Sequence, residues 1–244
     1  MLNFAGIVDS STIDYPGKHC AVIYLCGCNF RCPYCHNKDL VIKNERFCKT
    51  VEISEIVDKI KANYLIDAVV ITGGEPLLQK DTIKLIDMLK STKLPVKIDT
   101  NLSFPDMLKT VINRLDFISV DIKADLDNYI SVVNANIDID KIKKSLEILK
   151  QADIKKEART TIVPGLTDSK ELIEKIGYIV RDVGFDYYTL QQFRPKNTLD
   201  PKYENIEATS YEKMMELGKL AKKILPNTIV RIATLKNGFE EIFL

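Results

Sequence analysis

Cys28, Cys32 and Cys35 stand in the run Cys-Asn-Phe-Arg-Cys-Pro-Tyr-Cys-His, a C-x3-C-x2-C spacing that supplies three thiolates on one short loop and no fourth. Three thiolates suit three irons of a cubane 4Fe–4S cluster, which ordinarily takes four cysteines. A loop that offers three leaves one iron open. All six cysteines (Cys20, Cys26, Cys28, Cys32, Cys35, Cys48) and both histidines (His19, His36) lie between positions 19 and 48. A disulfide scaffold would spread its cysteines along the chain. Soft ligands packed this tightly point to a metal or cluster site.

Two other readings of the loop stay open on spacing alone. Cys32-Pro33-Tyr34-Cys35-His36 fits the C-x-x-C-H pattern of haem attachment. A structural zinc site is four-coordinate and would recruit Cys26 or Cys48. The plain reading of Cys20, Cys26 and Cys48 is that of small buried hydrophobes or bystander thiols. His19 and His36 read as hydrogen-bonding residues.

The chain has 244 residues, 45% of them hydrophobic, which suits one α/β domain with a sizeable core. Thirty-five basic against 34 acidic residues give a net charge of +1, which argues against a bulk nucleic-acid binder. The sequence holds no apolar run long enough to span a membrane. Met1 to Lys18 lacks the basic and apolar regions of a signal peptide. These features lead to the expectation of a cytoplasmic protein with reduced thiols and no membrane partner.

Strand-like runs recur at 21–25, 68–72, 96–100, 117–121, 157–163, 187–193 and 228–234, with amphipathic helical patterns between them. Helices are expected near 54–63, 82–91 and 106–113, then one ending near Lys150, and two more with Asp168 and Thr209 as candidate caps. Strand then helix, six times over, implies parallel pairing with helical crossovers. A complete eight-unit barrel takes about 250 residues, so the expected fold is an incomplete (β/α)6 TIM-like barrel. A flat doubly wound sheet is the alternative. The expected organisation is a single domain over 1–244: an extension over 1–20, a partial barrel over 21–195, and a C-terminal helix and strand over 196–244. In either fold, ligands gather at the C-terminal ends of the strands, where the cysteine loop lies.

Five further motifs end strands. Thr72-Gly73-Gly74-Glu75-Pro76 has two glycines that let the backbone approach a ligand without Cβ interference. Asp99-Thr100-Asn101 and Asp121-Ile122-Lys123 put charge at the expected barrel mouth. Arg159-Thr160-Thr161-Ile162-Val163-Pro164-Gly165 reads as a strand followed by a turn. Gln191-Gln192-Phe193-Arg194-Pro195 ends the sixth strand, with no chemistry assigned to it.

Together the cysteine loop and these motifs resemble the radical SAM superfamily, and within it the glycyl-radical activating enzymes. The opening, Gly6-Ile7-Val8-Asp9 through Asp14-Tyr15-Pro16-Gly17-Lys18, joined to the cysteine loop, is most similar to the activating proteins of anaerobic ribonucleoside-triphosphate reductase, in their longer form. Pyruvate formate-lyase activators, radical SAM enzymes acting on small molecules and a non-catalytic zinc module remain the alternatives.

The resemblance implies a 4Fe–4S cluster on Cys28, Cys32 and Cys35, with S-adenosylmethionine on the open iron. It implies Tyr34 beside the adenine, and Gly74 and Glu75 at the methionine ammonium. Asp99, Thr100, Asp121, Lys123 and Arg159 would line the cofactor site, with a monovalent cation nearby. Leu102 replaces the family's usual glycine after Asn101. Reductive cleavage would give methionine and a 5′-deoxyadenosyl radical, which takes an α-hydrogen from a glycine of the partner enzyme. A flavodoxin or ferredoxin would deliver the electron.

Overall fold

A computed structural model describes all 244 residues. Its ten strands are β1 Leu2–Ser11, β2 Cys20–Leu25, β3 Lys49–Val51, β4 Ala68–Gly73, β5 Val96–Thr100, β6 Phe117–Asp121, β7 Lys155–Ile162, β8 Tyr187–Gln192, β9 Ile229–Thr234 and β10 Gly238–Glu241. The helices are α1 Lys38–Val41, α2 Ile53–Ala62, α3 Thr82–Lys90, α4 Pro105–Val111, α5 Tyr129–Val133, α6 Ile139–Gln151, α7 Lys170–Val183 and α8 Tyr211–Ile224. All ten strands form one sheet in the order β10-β9-β8-β7-β6-β5-β4-β2-β1-β3. From β2 through β9 every neighbouring pair is parallel. Each of these connections carries a helix, as parallel pairing requires. Residues from β2 round to β10 line one common cavity, so the sheet curves about it. The end strands β3 and β10 do not pair, and the barrel is open. The expected incomplete (β/α)6 barrel is the observed fold, with β9 following the sixth unit.

Strand alternation divides the core. Ala21, Ile23 and Leu25 of β2, Val69 and Ile71 of β4, and Ile118 and Val120 of β6 face the helices and join the large apolar cluster. The other parity faces inward. At the bottom of the barrel Val22, Val70 and Phe117 pack with Cys20, Ala68 and Tyr15 into a separate apolar floor. Tyr15 and Tyr187 flank Phe117, with ring centroids 5.6 and 6.0 Å away. Lys97 is in register with the floor residues Val70 and Phe117, and beyond it the inward positions are charged: Asp99, Asp121, Glu157, Arg159 and Arg231. The floor seals the barrel and the charged layer faces the cavity.

The short strands β3 and β10 are additional to those expected, and three further elements differ from expectation. The segment read as an extension contains β1, which pairs antiparallel with β2 and β3. Leu2 and Phe4 are buried and its second half is largely exposed, so its alternation is weak in sequence. The caps of α7 and α8 are Ser169 and Ser210, each accepting from the third residue of its helix and each one position past the expected cap. Asp168 instead accepts from the Gly165 N–H across the preceding turn.

Candidate active site

The cysteine loop leaves β2 at its C-terminal end and is fastened on three sides. The Gly27 N–H donates to Leu40 O, and the Arg31 N–H to Val133 O. The N–H groups of Leu199 and Asp200 donate to the carbonyls of Cys35 and Pro33. The Asn101 amide reaches from the end of β5 to Asn29 Oδ1 (3.0 Å) and to Cys28 Sγ (3.7 Å). Cys28, Cys32 and Cys35 are free thiols, and all three line a cavity of about 470 Å³. Burial pushes Cys28 up to about 12 and Cys32 to about 11. The thiols stay protonated until a metal displaces the protons.

Cys26 and Cys48 are joined in a disulfide across 22 positions. This corrects the reading of both as bystanders. The pair clasps the 38–48 segment to the cysteine loop. It also removes the thiolate that a closed zinc site would have needed. Cys20 is the buried small hydrophobe expected of it. His19 makes hydrogen bonds through both ring nitrogens, to Leu65 O and Ser10 Oγ. The His36 ring makes none and lies in the cavity wall.

The Gly-Gly turn is pinned against the same loop. Gly74 N–H donates to Leu25 O and Glu75 N–H to Gly27 O. A Cβ at Gly73 would overlap the Leu25 backbone, and one at Gly74 the Gly27 carbonyl. Gly73 also has φ +131°, open only to glycine. Both glycines line the cavity.

The Glu75 carboxylate does not reach the cavity. It is fully buried and accepts from Leu77 N, Thr100 Oγ1 and Asn101 N at 2.9, 2.8 and 2.6 Å. Burial pushes its carboxyl up to about 7, against the pull of these three donors. The side chain is thus a clamp between the ends of β4 and β5, which leaves the Glu75 backbone, beside Gly74, as the part that can meet a ligand ammonium. Leu102 keeps the turn after Asn101 by adopting φ +70° with its side chain buried.

Asp99, Thr100, Asp121, Lys123 and Arg159 all line the cavity. The charged groups form one chain of ion pairs across β5, β6 and β7. Lys97 Nζ donates to Asp99 Oδ1 (2.7 Å), and Arg159 donates to Asp99 Oδ2 and Asp121 Oδ1 (3.0 Å each). Lys123 Nζ donates to Asp121 Oδ2 at 3.2 Å. Burial alone would raise both aspartates, but their cationic partners hold them below the usual carboxylate range. Burial would lower Lys123, and Asp121 more than offsets this, so Lys123 stays charged. Behind this chain Glu157 accepts from Ser119, Thr189 and Arg231.

Tyr34 is buried against the cavity, and its hydroxyl has no hydrogen-bond partner. That hydroxyl is sealed from the cavity as well as from solvent, at a cost of about 1–3 kcal/mol. Three free thiols, a glycine cradle and two cations, Lys123 and Arg159, fit a thiolate-held cluster and a carboxylate-bearing cofactor. They do not fit the expected monovalent cation. Every oxygen of Asp99 and Asp121 already faces a lysine or arginine nitrogen.

Residues 22–176 match the family model of the radical SAM superfamily. The chain is 39% identical over 243 residues to a "Putative glycyl-radical enzyme activating enzyme" of Methanocaldococcus jannaschii, covering 97% of this chain and 98% of that one. It is 32% identical over 231 residues to the pyruvate formate-lyase-activating enzyme of Clostridium pasteurianum, covering 87% and 94% of the two. The chain belongs to the glycyl-radical activating enzymes of the radical SAM superfamily. The family implies a 4Fe–4S cluster and S-adenosylmethionine. A radical SAM methyltransferase from Sphaerobacter thermophilus shares the fold, with a TM-score of 0.68 at 14% identity over 90% of this chain and 67% of that one. No helix of this radical SAM protein is long and apolar enough to cross a membrane.

Sequence reasoning passed over Lys97, Glu157, Arg231, Asn29 and Asn101 as site residues. The signal for the first three was present: each lies two residues before, or in pairing register with, an inward-facing strand position.

Proposed function

We propose that Cys28, Cys32 and Cys35 hold the cluster, and that this activase acts on a glycine of anaerobic ribonucleoside-triphosphate reductase. The observation that carries the ligand assignment is the sorting of the loop's thiols. Three are free and face the cavity, while Cys26 is bonded to Cys48. The cluster, when bound, supplies a low-potential electron to S-adenosylmethionine.

The chain's own residues hold and orient that cofactor. Lys123 and Arg159 face its carboxylate, with Asp121 and Asp99 fixing both cations. The Tyr34 ring, which lines the cavity, would pack beside the adenine. Gly73 and Gly74 let the β4 backbone lie close to the cysteine loop and to the amino group. Thr100 lines the wall while its hydroxyl serves Glu75. Such positioning accounts for most of what a protein adds to cofactor chemistry.

A protein substrate is supported by the open seam. The cavity is bordered on one side by Ile13, Asp14 and Pro16, and on the other by Leu235, Gly238 and Phe239. Ile13 and Leu235 are more than half exposed. A loop can enter between these edges. A flavodoxin or ferredoxin is the proposed electron donor and the cytoplasm the proposed location.

The opening segment favours the reductase as partner, and the resemblance to pyruvate formate-lyase activators supports a lyase as the second reading. Anaerobic mixing of the reconstituted chain with each candidate, followed by electron spin resonance, separates them. A glycyl-radical doublet on the reductase alone supports the first. A doublet on the lyase alone replaces it.

A further inference from the structure

Resting on the reading of this cavity as the S-adenosylmethionine site, we infer that Lys97 takes the place of a bound monovalent cation, so this chain engages the cofactor without sodium or potassium.

Lys97 is an unusual residue for an inward strand position. It is 1% exposed, in a strand whose other residues are also buried. Its ammonium donates to Asp99 Oδ1 and to the Asp14 carbonyl, both at 2.7 Å, and lies 5.9 Å from the centre of the Phe117 ring. A buried lysine is tolerated only where its charge is matched, and these contacts match it. The ammonium takes Oδ1 of Asp99 while Arg159 takes Oδ2, so each oxygen of that carboxylate has one cationic donor.

Counting charge across the row decides the case. Two carboxylates, Asp99 and Asp121, meet three fixed cations, Lys97, Arg159 and Lys123. All four carboxylate oxygens are engaged. A small cation held by these aspartates would compete for the same oxygens and lie within a few ångströms of like charge. The row already carries an excess positive charge, which suits the carboxylate end of an amino-acid-bearing cofactor. Glu157 does not alter the balance, because Arg231 pairs with it at 2.6 Å. Arg194 adds a further cation at the cavity rim with no acidic partner of its own. Lys97 also ties the cofactor wall to the Asp14 turn at the seam, so charge compensation and the position of that turn depend on one side chain.

Two measurements on the anaerobically reconstituted full chain test this. The first is S-adenosylmethionine affinity in tetramethylammonium salts compared with potassium salts. The second is equilibrium dialysis with thallium(I), which stands in for potassium. Expected are affinities that agree within about two-fold and no stoichiometric thallium on the wild-type chain. Lys97→Met is expected to take up one thallium per chain and to lose about ten-fold or more in affinity when potassium is withdrawn. A wild-type chain that binds one thallium, or needs potassium to bind the cofactor, overturns the inference. A folded Lys97→Met chain that gains neither property overturns the role of Lys97. Should that variant fail to fold, the wild-type measurements decide alone. No cofactor binding in any electrolyte would sink the reading of the site, while the thallium count would still settle the cation.

Discussion

The Asn101 N–H donates to Glu75 Oε2 at 2.6 Å, which ties the end of β5 to the turn after β4 in the wall of the cavity. The same asparagine's side chain reaches the cysteine loop through Asn29 and Cys28. Two motifs and the thiol loop thus form one hydrogen-bonded unit, and Glu75 is its hub.

Glu75→Ala strands three donors at once. Each unsatisfied group costs about 1–3 kcal/mol, so a loss of at least about 3 kcal/mol in chemical denaturation is expected. Iron loading falls with it, because Asn101 and the loop move together. Wild-type stability with cofactor affinity alone reduced would instead put the carboxylate in direct contact with the ligand.

Leu102 sets two effects against each other. A left-handed backbone costs a non-glycine residue about 1–2 kcal/mol, whereas losing a buried leucine side chain costs about 2–5 kcal/mol. Leu102→Gly is therefore expected to destabilise, by about 2 kcal/mol net. A variant that is more stable than wild type in a denaturant titration would show that strain dominates.

The Cys26–Cys48 bond closes a loop with a separation of 22 residues, for which chain entropy gives about 3 kcal/mol of stabilisation. Cys48→Ala is expected to retain S-adenosylmethionine cleavage. Its melting temperature should equal that of the reduced wild type and no longer respond to reductant. Loss of cleavage as complete as in Cys28→Ala would make Cys48 a ligand.

Acid should dissolve the ion-pair row. The folded carboxyls of Asp99 and Asp121 titrate below their ordinary value of 3.8. Their contribution is present in full above that value and is lost as pH falls through the folded range. Burial pushes the Glu75 carboxyl up to about 7, so the folded chain takes up that proton first and the denaturation midpoint should rise from about pH 7 to about pH 5, then drop below about pH 4 as the aspartates protonate. Asp121→Asn should lower the maximum and flatten the acid limb. An acid limb of unchanged slope in the variant would exclude Asp121 as its source.

Sequence periodicity located all seven parallel strands to within a residue or two, because each is a buried run flanked by an amphipathic helix. It also placed the cysteine loop and five strand-end motifs at one mouth. What it missed has physical causes. The exposed half of β1 weakens its alternation, and β3 and β10 are three and four residues long. Lys97 and Glu157 look like solvated strand charges until the barrel closes over them. The Cys26–Cys48 bond ran against the expectation of reduced thiols. Glu75 was legible as part of a motif, but whether its side chain faced the ligand or the wall depended on which donors the neighbouring strand supplied.

The proposed cluster has three thiolate ligands and one iron free for S-adenosylmethionine. Electron spin resonance of the reduced, reconstituted chain, recorded with and without that cofactor, tests it most directly. The expected result is a 4Fe–4S signal whose line shape shifts on addition and which disappears in Cys28→Ala, Cys32→Ala and Cys35→Ala. A signal that the cofactor leaves unchanged, from a cluster carrying a fourth side-chain ligand, would contradict it.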